Sequence, residues 1–345
     1  MTERELLEPV SLTLPDGHLN PAAIGFARTP LVDTAGVAAR RTARRALAPV
    51  PVAFGRNKRW EYWNVITPTH IVALTISSLD YAAVHEVWIF DRASGRSRGA
   101  NATVIPARGM HLPGSLGGGV ATARAKDLSI TVTPSDDAQR WRLQAQIPGA
   151  GFDISVTRPA GHDLLAVVVP WSHRLFQYTV KDVALPASGT ITVDGAEVDV
   201  PEGSWAVLDH GRGRWPYDVA WNWGAGSGLL ADRRSIGIQV GGRWTDGTGS
   251  TENGVVVGGR LHKISAPVTW SYDLAAPLEP WRIVGGGLDA TFAPFHDKRS
   301  ATDLRVLSSR TDQCFGEWSG TFDTGSELIA FDGAVGFAED VHNRW

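Results

Sequence analysis

The sequence predicts an all-β protein built from antiparallel strands, and three observations carry that prediction. Glycine occurs 38 times and tryptophan 14 times in 345 residues. Glycine weakens helices and favours tight turns, whereas tryptophan fits a pleated, half-buried surface. Apolar and polar residues alternate with period two along several stretches, and short turn signals separate those stretches.

The elements follow in order. Residues 1–34 contain Pro9, Pro15, Pro21 and Pro30 without a sustained period, which predicts an irregular arm packed on the body. Thr34–Leu47 is Ala-rich, with Thr34 placed as an N-cap and Pro49 just beyond its end, and is the one helix expected. Arg40, Arg41, Arg44 and Arg45 fall on one face of that helix, either as a solvated stripe or as a contact for an anionic ligand. Strands are expected where Val72, Leu74 and Ile76 alternate with Ala73 and Thr75, and where Leu128, Ile130 and Val132 alternate with Ser129 and Thr131. The same pattern covers Trp141, Leu143, Ala145 and Ile147, and then Phe152, Ile154 and Val156.

The turns fit this reading. Asp194-Gly195 is a two-residue hairpin signal, and Pro148-Gly149-Ala150-Gly151 joins the strands on either side of it. Gly241-Gly242 and Gly258-Gly259 are expected to punctuate the second half in the same way. Successive hairpins with almost no helix indicate a sandwich or a barrel, and closure into a barrel removes exposed edges and creates a mouth for ligands. The length suits two β-domains, 1–202 and 203–345, divided near Pro201-Glu202-Gly203.

Composition narrows the function classes. Lys and Arg number 33 against 36 Asp and Glu, a net charge of −3, so there is no basic footprint for nucleic acid or an anionic membrane. No apolar stretch approaches the roughly 20 residues of a membrane span. The charged start, Met1-Thr2-Glu3-Arg4-Glu5, is unlike a signal peptide, and the expected location is cytoplasmic. A single cysteine, Cys314, excludes an intrachain disulfide framework and a Cys-built zinc site. The ten histidines lack ligand spacing, so no metal is expected, and no cofactor either. Gly224-Ala-Gly226-Ser-Gly228 has no helix pattern behind it, Gly117-Gly118-Gly119 lacks the Lys-Ser/Thr of a phosphate loop, and no Gly-x-Ser-x-Gly elbow occurs. The expected partner is a hydrophobic small molecule, bound by a monomer or homodimer.

The densest constellation of reactive and aromatic residues runs from Gly203 to Gly228 and holds Trp205, Asp209, His210, Arg212, Arg214, Trp215, Tyr217, Asp218, Trp221, Asn222 and Trp223. Aromatic faces supply apolar area and stabilise a developing cation. A desolvated acid beside such faces retains its proton toward neutrality, and Asp209 is the candidate, with His210 as neighbour or proton partner. Against this, adjacent strand residues point to opposite faces, tryptophan pairs often belong to a core, and an aspartate near Arg212 and Arg214 fits a structural ion pair. Trp244 to Gly254 reads as a polar loop in which Asp246, Glu252 and Asn253 are either ligand-facing or turn-forming. In Arg56–Asn64, alternation groups Trp60, Tyr62 and Asn64 against Glu61 and Trp63, with Glu61 a pocket acid or a strand-edge ion pair.

The run Gly203-Ser-Trp205, Asp209-His210-Gly211 and Trp221-Asn-Trp223 resembles the Gly-x-Trp, Asp-His-x-Trp, Trp-x-Trp pattern of the lipocalin-like hydratase and cyclase group, which includes carotenoid 1,2-hydratase, AttH-like proteins and tocopherol cyclase. Arg56–Trp63, Trp244–Gly254 and Ala338–Trp345 more closely resemble the DUF2804 family, from about residue 8 onward. The resemblance implies two consecutive lipocalin-like (calycin) β-barrels behind the short arm and helix, with a hydrophobic ligand inside or between them. It also implies Asp209 as proton donor to an alkene, with Trp205, Trp221 and Trp223 as wall. The chain departs from the pattern at Gly211-Arg212-Gly213, which reads as a charged, flexible turn where the group carries a tryptophan.

Three functions fit this sequence. The first is a cofactor-free enzyme that hydrates, isomerises or cyclises a terpenoid, polyketide or lipid-like substrate. The second is a carrier that binds a lipophile without chemistry. The third is carbohydrate binding or hydrolysis, with Asp209, Asp246 and Glu252 as paired carboxylates.

Overall fold

The computed structural model describes residues 3–37, 55–303 and 307–345. The all-β expectation holds: two curled antiparallel sheets form two lipocalin-like barrels. Only the start of the expected helix is described. Ala35–Val37 makes one 3-10 turn, and Thr34 Oγ1 donates to Gly114 O instead of capping it. The remainder, including Arg40, Arg41, Arg44 and Arg45, lies outside the described residues.

The first sheet runs in the order Ser97–Val104, Ala83–Asp91, His70–Ser78, Asn57–Ile66, Trp205–Arg214, Phe176–Val193, Ala150–Thr157, Arg140–Ile147, Leu128–Pro134, Ala121–Ala125 and Met110–His111. The alternating residues read from the sequence become its interior. Val72, Leu74, Ile76, Leu128, Ile130, Val132, Trp141, Leu143, Phe152, Ile154 and Val156 pack into one cluster around Trp63. The Asp194-Gly195 hairpin forms as expected, with both residues at positive φ (51° and 82°), the backbone that a tight two-residue turn demands.

The second sheet runs Arg260–Ile264, Asn253–Val257, Ser235–Gly242, Asp218–Leu229, Leu328–Arg344, Ser308–Asp323, Leu288–Asp303, Trp281–Gly285 and Thr269–Ser271. Its interior is a separate cluster that includes Ile238, Trp281, Phe292, Cys314 and Trp318. Gly258-Gly259 forms a hairpin there. Gly241-Gly242 does not: both lie inside the Ser235–Gly242 strand, paired with Trp223 and Asn222, and the chain turns only afterwards. Glycine is needed at 241 for space, because a Cβ there would stand 2.1 Å from Glu252 Oε1.

The changeover between sheets falls at Trp215–Tyr217, beyond the division expected at residue 202. The Trp205–Arg214 strand is held in the first sheet by both Asn57–Ile66 and Phe176–Val193. A third apolar cluster joins the two sheets across their outer faces, with Ile66, Ala73, Trp88, Phe90 and Val207 meeting Trp223, Phe315 and Phe337. The arm packs on the first sheet: Gly25–Ala27 pairs with Leu165–Pro170, and Arg28 bridges Glu5 and Asp163. Among the described residues no helix is long and apolar enough to cross a membrane.

Candidate functional site

Each sheet encloses its own apolar cluster, and a further cavity lies between the two sheets. A cavity of about 260 Å³ separates the outer face of the first sheet from that of the second. Period two decides which residues reach it. Trp60 and Tyr62, Thr75 and Ser77, Thr179 and Lys181, and Asp209 project from four adjacent strands of the first sheet. Trp221 and Trp223, Thr311 and Gln313, and Glu339 and Val341 face them from the second sheet. Trp215, Trp244, Glu252 and Trp345, outside or at the ends of strands, complete a wall that includes six indoles.

Trp215 organises that aromatic wall from the changeover between sheets. It stacks on Trp244 at 5.6 Å and meets Trp60, Trp171, Trp221 and Trp345 edge-on. Its indole N–H donates to Gln177 Oε1 at 2.7 Å, so the ring is fixed at both its polar and its apolar end.

A charged centre sits within the aromatics. Lys181 Nζ lies 3.0 Å from Asp209 Oδ2, 3.4 Å from Glu252 Oε2 and 3.6 Å from the centroid of the Trp223 ring. Burial alone would lower the lysine's pKa, but Asp209 and Glu252 outweigh it and the net shift is upward. Asp209 accepts from Trp60 Nε1 and from Thr179 Oγ1, both at 2.9 Å, as well as facing the ammonium. An acceptor-only carboxylate satisfies all three donors.

The other two acids differ. Glu252 accepts from Trp244 Nε1, and burial pushes its pKa up against the opposing pull of Lys181. Glu339 accepts from Trp221 Nε1 at 2.9 Å and from Gln313 Nε2 at 3.0 Å. Burial pushes its pKa up to about 7, opposed by the Trp221 hydrogen bond and Lys181 and reinforced by Asp209 and Glu252. Tyr62, whose hydroxyl accepts from Gln313 at 3.3 Å, is raised well above its usual value by burial and by Glu339.

The candidates read from the sequence divide cleanly. Asp209, Trp215, Trp221, Trp223, Trp244, Glu252, Trp60 and Tyr62 all line the cavity. His210 and Glu61 do not, because they lie on the opposite face of their strands and meet each other inside the first barrel, 3.8 Å apart. Trp63 Nε1 donates to Glu61 there, and burial together with Arg212 depresses His210 to about 4. Trp205 is not among the lining residues; it is half-buried in the first sheet, paired with Ile66 and Pro186. Tyr217 is exposed at the changeover. Asn222 points toward Tyr272 and Asp340, and Asn253 ties Gly241 to Ala266, so both amides are spent on structure. Asp246 is exposed in its turn and does not line the cavity.

The expected turn at Gly211-Arg212-Gly213 is continuous strand. Gly211 lies opposite Trp60, and a Cβ there would stand 2.2 Å from that ring. The glycine lets an indole from the neighbouring strand cover the wall. Arg212 faces the first barrel's interior, where it donates to Trp60 O and Pro113 O.

Sequence reasoning missed Lys181, Glu339 and Gln313. Lys181 stands in a strand start that also carries Gln177, Thr179 and Asp182, and no local pattern singles it out. Glu339 belongs to a stretch that marks the family resemblance, without a local pattern pointing to chemistry. Among the described residues no group of three or more His, Cys, Asp or Glu is arranged to hold a metal ion.

The fold has relatives among solved structures. A kievitone hydratase from Nectria haematococca superposes with a TM-score of 0.51 at 11% identity, over 84% of this chain and 89% of that one. A protein described as a putative AttH from Nitrosomonas europaea gives 0.49 at 13% identity, over 83% and 92%, and CghA gives 0.46 at 9%, over 86% and 93%. No curated protein matches the chain. Residues 3–345 match the profile of DUF2804, a domain of unknown function, and the chain belongs to that family.

Proposed function

We propose that this chain binds an apolar small molecule between its barrels and promotes its hydration, isomerisation or cyclisation by proton donation, without a cofactor. One observation carries the reading: Glu339 is a buried carboxyl that keeps its proton to about pH 7 in a cavity walled by indoles. An acid poised there can donate to an alkene carbon. The π electrons form the new C–H bond, and the adjacent carbon becomes cationic beside aromatic faces and carboxylates. Capture by water, which returns a proton to Glu339, gives hydration. Capture by an internal nucleophile gives cyclisation, and loss of a neighbouring proton gives an isomer.

This reading moves the donor from Asp209 to Glu339. Asp209 has both carboxylate oxygens committed to Lys181, Trp60 and Thr179 and serves to position the ammonium. The kievitone hydratase fold likeness supports the hydration branch by analogy. Incubating the protein with an apolar cell extract in deuterated water tests the proposal. The expected result is a product with deuterium on carbon, absent with Glu339→Gln. An unmodified co-purifying ligand with no deuterium uptake would instead make the protein a carrier.

A further inference from the structure

The cavity holds more acids than cations. Asp209, Glu252 and Glu339 share one ammonium, Lys181, while Glu86 and Lys298 at the cavity wall pair with each other at 2.8 Å. Glu252 is 1% exposed, and its Oε2 meets no donor closer than the Lys181 ammonium, 3.4 Å away and shared with Asp209. A buried carboxylate oxygen served only by one distant, shared ammonium is costly and favours an arriving positive charge. The protein already shows how such a charge is held here, with the Lys181 ammonium 3.6 Å from the centroid of Trp223. Further indoles at Trp215, Trp221 and Trp244 lie beside the remaining acids, since Trp244 bonds Glu252 and Trp221 bonds Glu339.

We propose that the cavity selects a cationic lipophile: an apolar skeleton bearing one amine or quaternary ammonium, seated against an indole beside Glu252, with Glu339 adding a second negative charge once its proton has been displaced. This rests on the reading of the cavity as the ligand site and adds the charge of what it takes. The same field favours the positive charge that proton donation would create in a neutral substrate.

Three probes of similar size separate charge from apolar burial: phenyltrimethylammonium, tert-butylbenzene and 4-tert-butylbenzoate. Each is titrated into the full-length protein while tryptophan fluorescence is followed. The cation should bind at least about ten-fold more tightly than the neutral isostere, and the benzoate more weakly than both. In a Glu252→Gln, Glu339→Gln double variant the preference should fall below about two-fold. If that variant does not fold, the ranking on the unmodified protein still decides. Equal affinities, or tighter binding of the benzoate, would overturn charge selection alone. Binding by none of the three would overturn the ligand site as well.

Discussion

Lys181 and Asp209 lie on neighbouring strands, directly paired in register, with ammonium and carboxylate 3.0 Å apart and both buried. The pair forms because Thr179, Lys181 and Asp209 project from the outer face of the first sheet, where the second sheet covers them. Replacing Lys181 by Met leaves Asp209 and Glu252 without their shared cation. The expected loss is about 3–5 kcal/mol. Adding Asp209→Asn to Lys181→Met should recover part of it, and urea unfolding of single and double variants reads the coupling. Strictly additive losses would show that the two groups act independently.

Glu339 and His210 should tilt the stability profile in opposite directions. Glu339 is raised from 4.5 to about 7 on folding, so its contribution is complete below 4.5, declines as pH rises, and is gone above about 7. His210 is depressed from 6.5 to about 4, so its contribution is complete above 6.5 and is lost as pH falls toward 4. Each amounts to something on the order of 3 kcal/mol. Urea midpoints between pH 4 and 8 should show Glu339→Gln flattening the upper limb and His210→Gln the lower. Unchanged slopes in either variant would mean that its group does not titrate in this way.

Proton donation by Glu339 also sets a rate profile. Turnover of any identified substrate should fall by about ten-fold per pH unit above 7, as the acid form is depleted. The limb should be missing from the residual activity of Glu339→Gln.

Gly211 is predicted to be intolerant of even one methyl group. Gly211→Ala would push its Cβ into the Trp60 ring and strain the bond from Trp60 to Asp209. A cost of about 1–3 kcal/mol is expected, together with a changed near-ultraviolet circular dichroism signal from the indole cluster. A neutral effect in both measurements would show that the Trp60 ring has room to move.

Trp215→Ala should cost about 3–5 kcal/mol, because the ring contacts five other indoles across the seam between sheets. Enhanced quenching of the remaining tryptophans by acrylamide would report the opened wall.

Much of this was legible before any coordinates. The alternation at Leu128–Val132, Trp141–Ile147 and Phe152–Val156 identified the first barrel's interior, since a half-buried strand must alternate. The indoles around Asp209 were also visible in the sequence, and Trp215, Trp221 and Trp223, though not Trp205, line the same cavity as Asp209. Two kinds of information were not local. Whether Gly241-Gly242 bends the chain or makes room for Glu252 depends on a neighbouring side chain. The meeting of Lys181 with Glu252 and of Glu339 with Gln313 depends on how the sheets dock. His210 illustrates the converse, because period two alone already separates it from Asp209.

Since opposite walls of the hollow belong to different sheets, an occupant is also a rivet. Whatever free energy it gains on entry opposes the parting of the two halves, by an amount that grows with the logarithm of its concentration over Kd. A guest should therefore reveal itself first as joint melting of segments that otherwise separate, even before its identity is known.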